Sequence, residues 1–298
     1  MRDYGRPLRF GWFPTPDAMG EGEVLRLARL ADELGLDLIG IQDHPYQARF
    51  LETWTLLTAI AAQTRRISVF PDVANLPLRP PALLAKAAAT LDLISDGRVE
   101  LGLGAGAFPE GVRALGGPVR RPGEAVAALE EAIQVIRMMW SGTRGARFDG
   151  KHYRLNGAHT GPPPAHPIEI WLGAYRPRML ELTGRLADGW IPSVGYLLPA
   201  QLPEAHSRID EAAVASGRDP SSIRRLYNVS GSITDGPATG PLYGPASRWV
   251  ETLTELTMDL GMDSYVLAAA GDAEVQLRRF ALEVAPAVRE SVTRARTK

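Results

Sequence analysis

The sequence predicts an α/β chain folded as a (β/α)8 barrel, and three observations carry that prediction. Short apolar runs alternate with stretches of helical periodicity along the whole chain, about eight times. The 298 residues suit one barrel of about 250 residues with modest insertions, so 1–298 reads as a single domain with insertion loops at the C-terminal mouth. Several runs end in glycine or in polar residues where a parallel strand opens, the ligand-binding end of such folds. An open, doubly wound sheet is the competing architecture.

The first run, Leu8–Pro14, ends at Pro14 and Pro16. Gly22 to Leu34 places Val24, Leu27, Ala28, Ala31 and Leu34 on one helical stripe, and Gly35 supplies the stop. Leu38–Gln42 is a second strand, running into Asp43 and His44. A helix over Thr53–Thr64 leads to a third strand from Arg66 to about Asn75, which contains Pro71 and therefore bulges or bends. Pro80 and Pro81 open a helix, where proline is tolerated in the first turn. That helix stops at Ser95-Asp96-Gly97-Arg98, and the chain enters Val99–Gly106, a strand that runs out into Gly104 and Gly106.

Glu124–Trp140 is strongly amphipathic, whereas Ser141–Pro167 is rich in glycine, proline and aromatics and reads as a lid or loop over the mouth. Ile168–Ala174 is a fifth strand, followed by a helix from Pro177 to Leu186. Gly189–Ser193 and Ile223–Ile233 are strands separated by a helix over Leu202–Ala215. Thr234–Gly244 is a Gly/Pro-rich, mobile loop. A helix over Trp249–Leu260, a strand over Ser264–Ala268 and a helix from Ala273 to Val292 complete the chain.

Composition narrows the function classes. A net charge of -1 with 22% charged residues of mixed sign offers no face for nucleic acid. There is no cysteine, which excludes disulfides, thiolate nucleophiles and iron–sulfur clusters and fits a cytoplasmic protein. Met1–Pro7 has no apolar signal core, and no run approaches the ~18 apolar residues of a membrane helix, so no membrane role is expected. The five histidines are scattered and none shows the H-E-x-x-H spacing, so no metal centre is expected. No G-x-S-x-G elbow supports a serine nucleophile. Redox chemistry on a bound organic cofactor is the class that remains.

The candidate site residues all follow strand ends. Gly102-Leu103-Gly104-Ala105-Gly106 lacks the dinucleotide G-x-G-x-x-G spacing; it reads either as a cofactor floor or as tight strand–helix packing. Gly173 and Ala174 precede a helix beginning at Pro177, whose amides with Arg176 suit a phosphate, or form an ordinary cap. His44 is placed to protonate a reacting group or to hold a ring, unless Asp43 satisfies its nitrogens locally. Trp12, Tyr46, Phe108, Trp190 and Tyr196 fall at or beyond strand ends and are candidates for lining a pocket for a flat ring.

These features together resemble the luciferase-like flavin and deazaflavin oxidoreductases. The resemblance runs from Phe10 to about Arg289. It rests on Gln42-Asp43-His44, Trp54–Thr64, Arg79–Asp92, Ser95–Arg98 with Leu101–Gly106, Ile170–Ala174 and Ala187–Trp190. It implies a (β/α)8 barrel that binds coenzyme F420, or alternatively FMN, at its mouth, with a non-prolyl cis bulge at Asp72-Val73 behind the ring. His44 matches the histidine near the ring in the deazaflavin branch. Gly104, Ala105, Gly106 and Ala107, and Gly173, Ala174 and Arg176, match positions on the cofactor's side chain and phosphate. Asp43 and Asn75 join Asp72 and Val73 as cofactor contacts at the neighbouring strand ends. The sugar-phosphate dehydrogenases of that branch carry a catalytic glutamate where this chain has Ala107 and Phe108, and their tryptophan after the histidine has no evident counterpart. The resemblance implies an F420-dependent oxidoreductase acting on a small organic substrate. The alternatives are an FMN-dependent monooxygenase fed by a separate reductase, and a non-catalytic flavin-binding barrel. A flavin or F420 reductase and a second copy of the chain are the implied partners.

Overall fold

The computed structural model describes residues 2–297, apart from the side chain of Glu21. Its strands are β1 (Arg9–Trp12), β2 (Leu38–Ile41), β3 (Ser68–Pro71), β4 (Ala74–Asn75), β5 (Leu101–Gly104), β6 (Ala146–Asp149), β7 (Arg154–Ala158), β8 (Ile170–Leu172), β9 (Gly189–Trp190), β10 (Arg224–Ile233), β11 (Tyr243–Gly244) and β12 (Ser264–Ala269). The helices are α1 (Glu21–Glu33), α2 (Thr53–Gln63), α3 (Pro81–Ile94), α4 (Pro109–Ala114), α5 (Pro122–Trp140), α6 (Pro177–Leu186), α7 (Leu202–Ala215), α8 (Ala246–Met258), α9 (Ala273–Arg279) and α10 (Ala285–Arg296).

The main sheet runs β3-β2-β1-β12-β10-β9-β8-β5-β4, all parallel. β3 and β4 are one barrel strand interrupted at Asp72-Val73, whose peptide bond is cis. Below the interruption Val69 bridges to Val99, which closes the ring. The predicted barrel is thus present, and the doubly wound alternative is not. No helix among the described residues is long and apolar enough to cross a membrane.

The strand alternation sorts side chains into an inner and an outer set. Leu38, Phe70, Trp171, Ile191, Leu226 and Val266 fill the barrel interior, with Phe70 set edge-on to Trp171 at 5.0 Å between centroids. The outward set, including Phe10, Ile39, Val69, Leu103 and Tyr227, packs under the helices. Charged groups plug the lower end: Arg224 meets Asp263 at 3.2 Å, Arg9 meets Glu100 at 3.3 Å, and Glu169 accepts from the Trp171 indole at 2.8 Å.

Two connections differ from their sequence reading. The 141–167 excursion is not a free lid: it forms the β6–β7 hairpin, and Glu131 of α5 accepts from the backbone amides of Lys151, His152 and Tyr153 at 2.8–3.0 Å. The 234–244 loop is tied to β10, with Ser232 and Thr234 donating to the carbonyls of Leu242 and Gly244. Gly231 lacks a side chain because a Cβ there would collide with the Leu242 carbonyl.

Candidate active site at the barrel mouth

The end of β2 is held by an ion pair that the sequence does not advertise. Asp43 is 1% exposed and accepts from Arg79 Nε and Nη2, each at 2.6 Å, and from the Asn75 amide at 2.8 Å. Arg79 continues to Glu52 at 2.6 Å, and Glu52 caps α2 by accepting from the amides of Trp54 and Thr55. The Asp43 carboxylate is therefore committed within the protein. Among the described residues it makes no hydrogen bond to His44, so local satisfaction of the histidine is not what the structure shows.

His44 instead stacks on Tyr46 (centroids 5.4 Å apart, planes at 19°) and meets the edge of Phe108 at 5.4 Å. Burial lowers its pKa from the usual imidazole value, and the nearby Asp43 charge only partly opposes this. The ring is neutral near pH 7, with one nitrogen to donate and one to accept. Tyr46 is pressed against Gly111 of α4, where a Cβ would lie 2.6 Å from its ring. Its hydroxyl is buried beside the Asn75 side chain, and burial pushes its pKa up to about 12 against the opposing Asn75 contact.

The glycines at the ends of β5 and β8 make room for a neighbouring side chain. A Cβ on Gly104 would stand 2.7 Å from Val73 Cγ2 and one on Gly173 would stand 3.1 Å from it, so Val73 sits between the two strand ends. Gly106 adopts φ +92°, and a Cβ there would meet Pro77 at 2.6 Å and Asn75 Oδ1 at 3.6 Å. Ala105 is half-buried; Ala107 and Phe108 lie on the exposed side, Phe108 at 45%. Arg176 is exposed at the start of α6. Ala174 packs outward and its carbonyl accepts from Trp190 Nε1 at 2.9 Å.

Two pocket candidates are corrected by strand phase. Trp12 shares the outward face of β1 with Phe10 and is 3% exposed in the shell beneath the helices; its neighbour Phe13 faces the interior. Trp190 likewise points outward, fully buried, edge-on to His206 at 5.1 Å. Tyr196 stands at the rim, 73% exposed, tilted against Tyr175 at 5.6 Å.

The floor of the mouth holds residues that sequence reasoning missed. Asn228 on the inward face of β10 donates through Nδ2 to Asp72 Oδ1 and to Ser193 Oγ, both at 3.2 Å. The Tyr175 hydroxyl accepts from the Ser193 amide at 3.1 Å. Asp72 and Asn228 are each 8% exposed, and Asp72 Oδ2 and Asn228 Oδ1 have no hydrogen-bond partner among the described residues. Burial pushes the Asp72 carboxyl up to about 7, the Asn228 hydrogen bond opposing it. An asparagine at the same phase as the inward Leu226 was the available signal.

A parallel (β/α)8 barrel with an aromatic wall, a neutral histidine and orphaned buried polar atoms at its mouth is the frame of a cofactor-binding oxidoreductase. Residues 8–239 match the family model for luciferase-like monooxygenases, and the chain belongs to that family. It is 31% identical over 244 residues to an F420-dependent glucose-6-phosphate dehydrogenase of Kineococcus radiotolerans, covering 79% of this chain and 71% of the relative. It is 32% identical over 226 residues to a 5,10-methylenetetrahydromethanopterin reductase of Archaeoglobus fulgidus, covering 76% and 64% respectively. An F420-dependent secondary alcohol dehydrogenase solved with an F420–acetone adduct superposes with a TM-score of 0.84 at 20% identity, over 95% of this chain and 99% of that one. The coenzyme F420-dependent tetrahydromethanopterin reductase of Methanopyrus kandleri superposes with a TM-score of 0.81 at 20% identity, over 94% of this chain and 99% of that one.

Proposed function

We propose that the chain is a coenzyme F420-dependent oxidoreductase that moves a hydride between the deazaflavin and a small organic substrate. The observation that carries this reading is the neutral His44 ring, without a hydrogen-bond partner among the described residues and walled by Tyr46 and Phe108, at the mouth of a barrel whose relatives include F420-dependent enzymes. Asp72 Oδ2 and Asn228 Oδ1, buried and without a hydrogen-bond partner among the described residues, fit a planar, hydrogen-bonding cofactor. When bound, the deazaflavin supplies a carrier for two electrons as a hydride.

The protein's own residues do the rest. Val73, seated between Gly104 and Gly173, gives the cofactor ring a rigid apolar backing. Residues 104–107 line the approach to its side chain, and Arg176 at the start of α6 supplies charge for its phosphate. The Asp43–Arg79–Glu52 chain fixes the end of β2, and with it the position of His44. The neutral His44 ring takes the proton of a substrate hydroxyl during oxidation, and the imidazolium formed in that direction is the species that gives a proton to a carbonyl oxygen during reduction. Phe108 presents an apolar ring to His44 where the sugar-phosphate branch has its glutamate region, so an uncharged carbonyl or alcohol fits better than a sugar phosphate.

The test is label transfer. Reduced F420 carrying deuterium on its transferring carbon is incubated with the protein and a panel of small aldehydes, ketones and enones, and the products are read by mass spectrometry. Deuterium in one carbonyl class, lost in His44→Ala, supports the reading. Oxygen consumption with reduced FMN, and no label transfer from F420, would place the chain among the FMN monooxygenases instead.

A further inference from the structure

The polar floor of the mouth has an arrangement that packing alone does not explain. Asn228 spends its Nδ2 on Asp72 Oδ1 and Ser193 Oγ, which leaves its Oδ1 free. Asp72 Oδ2 is also free, and it points toward β2, where a Cβ on Gly40 would stand 3.0 Å away. With Asp72 ionised, two acceptor oxygens would lie on hydrogen-bonded neighbours, each more than nine-tenths buried and with no donor for either among the described residues. A proton on Asp72 changes the pair into one donor and one acceptor. That combination is complementary to a carbonyl beside an N–H, the amide-type edge found on both deazaflavin and flavin rings.

Resting on the reading of the mouth as a cofactor site, we propose that Asp72 and Asn228 form a subsite for this edge, Asp72 donating to its carbonyl and Asn228 accepting from its N–H, so that ligand binding is coupled to a proton on Asp72. The surroundings favour the protonated form. Burial pushes the carboxyl up to about 7, and the Asn228 amide is the one group that opposes it. The elements around it contribute Phe70 from β3, Gly40 from β2, and Asn228 and Ser193 from β10 and the β9 connection. Tyr175 is the titratable group on this side; burial raises its pKa, so it stays neutral and places no charge beside Asp72. None of these neighbours carries a cation that would hold Asp72 ionised.

The experiment is a comparison of dissociation constants for F420 and for FMN between pH 6 and pH 8.5, in wild type and Asp72→Asn. The asparagine keeps a donor and an acceptor but cannot titrate. For a group titrating near pH 7, wild-type affinity should fall by up to roughly 30-fold relative to the variant across that range. Ionisation of the ligand is common to both proteins and cancels in the ratio. A ratio that is flat with pH overturns the proposal while leaving the cofactor reading intact; failure of wild type to bind either ligand overturns both. If Asp72→Asn does not fold, Asn228→Ala decides: loss of its hydrogen bond should move the binding midpoint to higher pH, and an unmoved midpoint overturns the proposal. The ligand whose affinity follows the proton identifies which ring the subsite reads.

Discussion

Replacing Arg79 with methionine tests whether Asp43 is a strut for the site. The Asp43 side chain is fully buried, and Arg79 supplies two of its three hydrogen bonds. Removing the guanidinium leaves a buried carboxylate with only the Asn75 amide, and breaking a buried pair in this way costs about 3–5 kcal/mol. The unfolding entropy of a 298-residue chain, at about 2.1 cal/mol/K per residue, is roughly 0.6 kcal/mol/K. Arg79→Met should therefore lower Tm by roughly 5–8 K, read by calorimetry at neutral pH. The double variant Asp43→Asn/Arg79→Met removes the stranded charge and should recover most of that loss. An Arg79→Met protein that melts with wild type, or a double variant no better than the single, would refute the strut and return Asp43 to the list of ligand contacts.

Three further outcomes follow from the same geometry. His44→Ala should cut turnover by roughly 10²–10⁴ while F420 affinity changes only a few-fold, since a proton-transfer group contributes mainly to the chemical step; equal losses in both would make it a binding residue. His166 is held protonated by Glu100 and Asp92, its pKa raised to about 9, so its stabilisation is complete below pH 6.5 and is lost as pH rises through about 9. His166→Gln should flatten that alkaline limb of the Tm profile, and an unchanged limb would discount the cluster. His206 is the opposite case: burial, then Arg225 and Arg2, press its pKa well below 6.5, so its contribution is present above pH 6.5 and lost as pH falls below it. His206→Phe should make the fold less acid-sensitive, and equal acid sensitivity in both proteins would contradict this.

The barrel was legible because each βα unit carries its own local signals: helical stripes, the Ser95–Arg98 turn with Asp96 and Gly97 at positive φ, and proline at the start of α3. Position along the chain put His44, Tyr46 and Phe108 just beyond strand ends, and in the structure the three rings meet. Phase was harder. On β1 the larger aromatic, Trp12, faces the helices and Phe13 the interior, because Gly11 shares the inner face and makes room for Leu38. Trp190 follows the same rule: a strand end tells where a residue lies along the barrel axis, not which way it points. Spacing left Gly104 open between a cofactor floor and tight packing and gave no sign of its neighbour: Gly104 and Gly173 both make room for the Val73 side chain. Pairings between distant segments were invisible, among them Asp43 with Arg79, 36 residues apart, and Asp72 with Asn228, 156 apart. So was Glu131, whose carboxylate turns an apparent lid into a hairpin strapped to α5.

The central claim is that this mouth is built for a deazaflavin ring backed by Val73 and faced by His44. Equilibrium titration of the purified protein with F420 and with FMN, followed by fluorescence at pH 6.5, tests it most directly. The account predicts saturable one-to-one binding of F420 in the micromolar range or tighter, with FMN weaker. Tight FMN binding with no F420 binding, or no binding of either, would contradict it.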